Sequence, residues 1–387
     1  MRCPRTAVAV PIVLMSLACR GETEPTDLPH SETWTCTELD VLPECPEDAI
    51  VLTGEPIAVD VDLDWTLQCG AAVGPVLYVA LPDELTAVHL TVDAGLTETG
   101  MELGLDGAPL VTRDAWGTLP QRLYRARASS ALLPNGDGPP PTGCLAVLPL
   151  VFDLDADGGS ARVWIHSRLG AVPDRGVLPI HLVRTDTDDV DARAAIGVAS
   201  RILLEQAGIQ LEIASVEAGP DEPLLEGPHD LLMTLDGPAD AAPVVFVELL
   251  AGGALGEAGG VPASLAPGTP SHGVVLALER YRDHEGFDAQ SAGEAVAHEL
   301  GHYLGLFHTS EMGGGPHDPL ADTPECRREH DANGDGALQD DECPGDVAGN
   351  LMFHTHLKDR RPLVLTPSQA AVLRRSPAIL PNPEETR

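Results

Sequence analysis

Ala295 to His308 reads A-V-A-H-E-L-G-H-Y-L-G-L-F-H, and the chain is best read outward from it. His298 and His302 are four residues apart, so on a helix they project from one face and can hold one metal ion. Glu299 follows the first histidine, where it can reach a metal-bound water without binding the metal. Gly305 can take a left-handed conformation and end the helix. The chain then turns, and His308 can come round as a third nitrogen ligand. Three neutral imidazoles leave a fourth position open, which is the arrangement of a catalytic rather than a structural zinc site.

A bare H-E-x-x-H string is common by chance in helices, where the two histidines are solvated or core residues. Gly305 and His308 at their offsets change those odds. The full pattern H-E-x-x-H-x-x-G-x-x-H resembles that of the metzincin metallopeptidases. Downstream, Gly349-Asn350-Leu351-Met352-Phe353-His354 is similar to the turn that places a methionine beneath the metal in that family. Asp322-Thr323-Pro324 and Leu365-Thr366-Pro367-Ser368-Gln369 resemble segments of its pappalysin-like branch, in which a calcium site lies near the cleft.

The resemblance implies an α+β catalytic domain: a twisted mixed sheet with an active-site helix, and an edge strand that pairs with extended substrate. It implies a zinc endopeptidase acting on a protein or peptide. His298, His302 and His308 would hold Zn2+, Glu299 would activate water, and Met352 would sit under the site. Several members carry Tyr two residues after the methionine as an oxyanion donor. Here that position is His354, with His356 as a competitor.

Asp331 to Glu342 reads D-A-N-G-D-G-A-L-Q-D-D-E and matches a twelve-residue EF-hand-type loop. Asp331, Asn333 and Asp335 supply side-chain oxygens, Ala337 its carbonyl, Gln339 a side chain or water, and Glu342 a bidentate carboxylate for Ca2+. Prolines on both sides argue for an isolated loop rather than a helix pair. A second acidic run, Asp153-x-Asp155-x-Asp157-Gly158, has Trp164 where such a loop needs Glu, and reads equally well as a polar turn.

The net charge of -37 excludes a basic nucleic-acid-binding face and supplies carboxylates for calcium. Arg2 and Arg5 precede an apolar run, Ala7 to Ala18, too short to span a membrane. Residues 1–19 read as an export signal. Ala18-Cys19 is similar to a bacterial lipoprotein cleavage site, with Cys19 the lipidation candidate and that lipid the one contact with a membrane. An ordinary secretory signal is the alternative. Six cysteines remain, an even number suited to disulfides in an oxidising compartment. Proximity favours Cys326 with Cys343, then Cys36 with Cys45 and Cys69 with Cys144, though spacing does not fix connectivity.

Residues 20–48 read as a flexible tether. Residues 49–170 carry short apolar runs split by Gly, Pro and Asp, which predict a β-rich, sandwich-like accessory domain. Residues 171–387 follow as the peptidase-like domain. Val177 to Val183 reads as a strand, and Asp189 to Ala207 as a helix with Val190, Ala194, Val198 and Ile202 at helical spacing and Leu203 beside them, ended by Gly208. Ile209 to Val216, Val244 to Leu250 and Gly273 to Leu278 read as strands, and the resemblance implies that the last is the edge strand. Pro367 to Arg375 predicts a helix capped by Thr366. The competing reading is a calcium-stabilised cell-surface binding or adhesion protein whose zinc site is structural or vestigial. A zinc hydrolase acting on something other than peptides is a third.

Overall fold

The computed structural model describes residues 44–68, 71–95, 97–111, 127–152, 159–184, 189–219, 224–284, 286–355 and 363–382. The export signal with Cys19, the tether up to residue 43, Cys36, Cys69, the Asp153–Asp157 run and His356 lie outside the described residues.

The fold is α+β. The first half is all strand: β1 (Ile50–Val51), β2 (Ile57–Gln68), β3 (Ala71–Val73), β4 (Leu77–Leu81), β5 (Leu85–Asp93), β6 (Thr99–Leu105), β7 (Ala108–Val111), β8 (Ala128–Leu133), β9 (Gly143–Val151) and β10 (Gly159–Leu169). They form one ten-stranded sheet whose path runs β1-β4-β9-β3-β2-β10-β5-β8, with β6 and β7 branching from β9. Val79, Met101 and Val147 share a core with Val88, Leu90 and Ile165, so the two ends of the sheet face each other.

Cys45 is joined to Cys144 and Cys326 to Cys343. The second pair follows the proximity expectation. The first corrects it, because Cys144 partners Cys45 rather than Cys69. The two residues are 99 apart in sequence, but their Cα atoms lie 5.1 Å apart. Two disulfides suit an oxidising, exported environment, and no helix among the described residues is long and apolar enough to cross a membrane.

The second half alternates strand and helix: β11 (Gly176–Arg184), α1 (Asp189–Ala207), β12 (Ile209–Ala218), β13 (Leu224–Leu225), α2 (Pro228–Thr234), β14 (Ala242–Val247), β15 (Leu249–Leu250), β16 (Gly256–Ala258) and β17 (Val274–Ala277). After the small hairpin of β18 (Arg282–Asp283) and β19 (Gly286–Phe287) come α3 (Ala289–Tyr303), α4 (Pro367–Arg375) and β20 (Leu380–Pro381). The main sheet runs β12-β11-β14-β17-β16, parallel except for β16, with β20 added beside β11.

Both faces of that sheet are covered, which is why its central strands read as unbroken apolar runs. Val244, Phe246, Val274 and Leu276 face α1, α3 and α4. Val245, Val247, Val275 and Ala277 face the cluster that contains Leu232 of α2. Two expectations change here. The edge strand is β16, not Gly273–Leu278: Val274–Ala277 is buried at all four positions and flanked by strands on both sides. The buried stripe of α1 is Ala192, Ala195, Ile196, Ala199, Ile202 and Leu203, whereas Val190 is 77% exposed. Helix α3 comes close to this stripe: a Cβ on Gly293 would stand 2.7 Å from Ala195 O and 2.4 Å from the half-buried Val198 Cβ.

The halves meet along a seam that includes Ser271 Oγ donating to Ala128 O at 3.1 Å and Arg168 reaching the carbonyls of Arg375 and Ser376. The Pro/Gly loop after β8 is part of it. Gly136 O accepts from Arg375, and Asp137 Oδ2 accepts from the Ala321 amide, each at 2.8 Å.

Candidate metal centre

Helix α3 builds the site. Asp288 caps it, accepting from the Ser291 amide at 3.0 Å. At the other end Leu306 N–H bonds Gly301 O and Gly305 N–H bonds His302 O, with Gly305 at φ 112°. This closure needs a left-handed residue just past the helix, which glycine supplies. It throws the chain back so that His308 returns to the helix face.

The three imidazoles converge. His302 Nε2 lies 3.0 Å from His298 Nε2 and 3.1 Å from His308 Nε2, and the remaining pair is 3.3 Å apart. The Nδ1 atoms face acceptors: that of His298 Leu351 O at 2.7 Å, that of His302 Leu306 O at 2.7 Å and that of His308 Glu311 Oε2 at 3.1 Å. A carbonyl or carboxylate only accepts, so each proton sits on Nδ1 and each Nε2 presents a lone pair. Three lone pairs pointed at one another repel unless a cation lies between them. Tetrahedral zinc with ligands at about 2.05 Å sets nitrogens about 3.3 Å apart, close to what is seen. No other set of three or more histidine, cysteine or carboxylate ligands converges among the described residues. The residues fit a bound metal ion. Burial, with the neighbouring rings, drives the His302 pKa well below its ordinary value, which favours the neutral ligand form.

Glu299 is 4% exposed. One interaction of its carboxylate is with the Ala258 amide of β16. Its Oε2 has no hydrogen-bond partner. Burial pushes its pKa up to about 8, with Glu257 nearby raising it further and His308 and the Ala258 amide opposing. A buried carboxylate oxygen left bare costs roughly 1–3 kcal/mol or more. The nearby hydroxyl of Tyr281 is also buried without a partner.

Met352 is fully buried, and a Cβ on Gly301 would stand 2.6 Å from its sulfur. Gly301 is therefore what lets the methionine tuck under the helix between two ligands. Asn350 shapes the turn by accepting from the Met352 amide at 2.8 Å. Gln369 of α4 exchanges two hydrogen bonds with Asn350, at 2.9 and 3.2 Å, while also capping its own helix through Thr366 N–H. Thus the Thr366–Gln369 capping box holds the methionine turn in place.

His354 does not offer a donor to the site in this conformation. Its Nδ1 and Nε2 face the carbonyls of Ser310 and Leu338, each at 3.1 Å. Leu338 belongs to the acidic loop, and its amide also bonds Met312 O at 2.8 Å. The loop is stitched to the strip of chain that follows His308. Within it, Asp331 accepts from the Gly334 and Gly336 amides, and Glu342 from those of Ala332, Asn333 and Gln339. Gly334 and Gly336 are left-handed, at φ 73° and 83°. Asn333 and Asp335 accept from the amides of Asp335 and Ala337. No α-helix flanks the loop, and the Cys326–Cys343 disulfide brackets it.

Sequence reasoning missed three residues here. Glu311, the acceptor for His308, carries no motif. Asp318 is 8% exposed with Oδ2 unpartnered, and burial raises its pKa to about 7. Glu257 lies on the edge strand beside Glu299. A mostly apolar cavity of about 420 Å³ lies at the seam, lined by Leu132, Pro140, Pro262 and Phe307 among others, but by none of the three ligands nor Glu299.

No protein-family profile and no curated protein matches the sequence. Among solved structures, a beta-(1,4)-mannanase of Podospora anserina matches with 8% identity and a TM-score of 0.17, covering 51% of this chain and 50% of that one. A family two carbohydrate esterase from Clostridium thermocellum, in complex with cellohexaose, matches with 12% identity and a TM-score of 0.15, covering 49% and 65%. The chain therefore spans about half to two thirds of these proteins.

Proposed function

We propose that this chain is an exported zinc-dependent endopeptidase of metzincin type, most similar to the pappalysin-like branch. The observation that carries the reading is the convergence of three Nε2 lone pairs beside a buried carboxylate oxygen with no partner. The antiparallel edge strand beside the active-site helix and the methionine under Gly301 support it.

His298, His302 and His308 would hold the metal, and a zinc ion bound there supplies a Lewis acid and a water of lowered pKa. Glu299 is anchored on one side by the Ala258 amide and bare on the other. The bare oxygen takes the water proton and later passes it to the leaving amine. Glu299 beside a cation held by the three histidines would have its pKa lowered from the raised, metal-free value, which favours the carboxylate form that acts as base. The free edge of β16 offers backbone groups with which an extended peptide pairs. A binding module with a structural zinc site has no use for Glu299, whose burial only destabilises it.

The carboxylates of Asp331, Asp335 and Glu342 do not converge in this structure; drawn together, the 331–342 loop would hold Ca2+ through Asp331, Asn333, Asp335, Ala337 O, Gln339 and Glu342. It would thereby brace the segment between His308 and the methionine turn.

The test is hydrolysis of unfolded casein by wild type and Glu299→Gln, with zinc and calcium and then with chelator. Turnover should fall about 100- to 10,000-fold in the variant with one zinc per chain retained. Undiminished cleavage by Glu299→Gln would sink the mechanism.

A further inference from the structure

His181 on β11 stands between two side chains of β12. Its Nδ1 is 2.7 Å from Ser215 Oγ, and its Nε2 is 2.8 Å from Glu217 Oε2. A carboxylate only accepts, so the ring proton sits on Nε2 and Nδ1 carries a lone pair that accepts from the Ser215 hydroxyl. The serine proton thus points at a neutral imidazole whose far side is held by a carboxylate. A Ser-His-acid hydrolase is arranged in the same way, with the two ring nitrogens exchanged.

A slip in the strand register builds this trio. Strands β11 and β12 pair in parallel from Gly176 with Ile209 to Ile180 with Ile213, and the register then shifts so that His181 opposes Ser215. Ala214 is the extra residue. Before it, Ile209, Leu211 and Ile213 pack into the core beneath α1. Beyond it, Ser215 and Glu217 lie on the opposite face, beside His181. Bulges are rare in parallel pairs, and they re-aim side chains. This one leaves the apolar Val216 exposed. A packing role alone would be served by a straight strand.

The base is buried and the other two groups are reachable. Gly237, in the loop after α2, lies against the imidazole: a Cβ there would stand 2.6 Å from His181 Cγ and Cδ2. His181 is buried, Ser215 is half-buried, and the Glu217 side chain reaches the surface. Strand β12 is the outer strand of its sheet, with none beyond it among the described residues. Strands β11, β14 and β17 separate it from β16, the strand beside the metal centre. At one strand spacing each, the two edges are about 19 Å apart.

We propose that Ser215 is a second, metal-free nucleophile that hydrolyses small carboxylic esters, with His181 as its base and Glu217 as the carboxylate that positions the base. Ser215 Oγ bonds to the ester carbonyl carbon while its proton passes to His181 Nδ1. The bond from that carbon to the alkoxide breaks, and the alcohol leaves with the proton. Water then repeats the two steps, releasing the carboxylic acid and restoring the serine, and nothing is oxidised or reduced. The strand edge admits a small acyl group, and an alkoxide leaves with less assistance than an amine. The trio shares no residue with the metal centre, so it stands or falls apart from the peptidase reading.

The test uses the full chain carrying Glu299→Gln, which removes hydrolysis by the metal centre. A biotinylated alkyl fluorophosphonate is the probe, and peptide mass spectrometry locates the adduct. One adduct per chain on Ser215 is expected, with turnover of p-nitrophenyl acetate lost in step. Adding Ser215→Ala should abolish both. No adduct on Ser215, or turnover that survives full labelling, overturns the proposal. His181→Gln should slow labelling about 100-fold or more. Because His181 is buried, the same question is put to Glu217, which can be changed at the rim without emptying the core. Glu217→Gln should slow labelling at least about tenfold. Glu217→Asp keeps the charge and should recover part of that rate. Labelling of Ser215 at the same rate with and without Glu217→Gln would show an ordinary exposed hydroxyl and overturn the proposal. Equal losses in Glu217→Gln and Glu217→Asp would reveal a packing role only and overturn it too.

Discussion

His298, His302 and His308 bring three Nε2 atoms within 3.3 Å of one another, whereas His89, His166 and His272, also largely buried, share no common point. The second set lies at the seam between the halves. The His89 and His166 rings stand edge-on with centroids 6.2 Å apart. His89 Nε2 bonds Ala263 O and His272 Nδ1 bonds Ser264 O, each at 2.9 Å, so they hold adjacent residues of one strip of chain. Residue type and burial are the same in the two sets. What differs is where the protons are fixed. In the first set every proton is drawn outward and the lone pairs turn inward. In the second the rings act as neutral packing groups that each take a carbonyl or leave a nitrogen bare.

Metal content breaks or upholds that comparison most directly. His302→Ala should abolish stoichiometric zinc, read by atomic absorption after gel filtration, with affinity falling by more than the roughly 100-fold that outer partners cost. His272→Gln should retain one zinc per chain. Equal zinc in both variants would erase the distinction. A finer test concerns the third ligand. His298 and His302 donate to carbonyls, but His308 donates to the Glu311 carboxylate at 3.1 Å. That charge makes His308 the more basic ligand. Glu311→Gln keeps a hydrogen-bond acceptor and removes the charge, so zinc affinity by chelator competition should fall about 10- to 100-fold. An unchanged affinity would show that only the direction of the Nδ1 proton matters.

The first set was legible in sequence because its ligands lie within eleven residues, two related by helix geometry and the third by the glycine turn that ends the helix. The α1 boundaries and the α4 cap were legible for the same local reason: Gly208 takes φ 71°, and Thr366–Gln369 forms the capping box. The edge strand was not. Gly256-Glu257-Ala258 has no strand character of its own and pairs only because Val274–Ala277 offers it a partner. The apolar run of Val274–Ala277 was itself the sign of a strand buried on both faces, hence an interior one. Of the expected α1 stripe, Ile202 is buried and Val198 packs against the core, but Val190 is exposed and alanines fill much of the face that meets α3. Glu311 beside His308 and Glu257 beside Glu299 are tertiary juxtapositions with no spacing to read. The Cys45–Cys144 bridge is likewise set by how the sheet folds, not by proximity along the chain.

The seam histidines make the smallest prediction and the one most specific to their set. Burial lowers the pKa of His89 to about 3 and those of His166 and His272 to about 4, all from 6.5. The groups facing them are one another, with His181 acting on His272 and the Tyr303 hydroxyl 3.5 Å from His272 Nδ1. A depressed histidine pKa means that the folded state prefers the neutral ring. The stability this contributes is present above pH 6.5 and is lost as pH falls from 6.5 towards 4, at about 1.4 kcal/mol per pH unit for each ring. Buried carboxylates act in the opposite sense: Glu257 and Asp318, raised to about 7, favour folding at low pH and lose that contribution as pH rises through 7. The wild-type slope therefore mixes the two, and the informative quantity is a difference. His89→Gln keeps a donor for Ala263 O but cannot take up a proton. Chemical unfolding between pH 7 and 4.5 should show the variant losing less stability than wild type, by about 1.4 kcal/mol per pH unit. Identical slopes would mean that His89 is protonated without loss, and that the seam opens to water before the ring titrates.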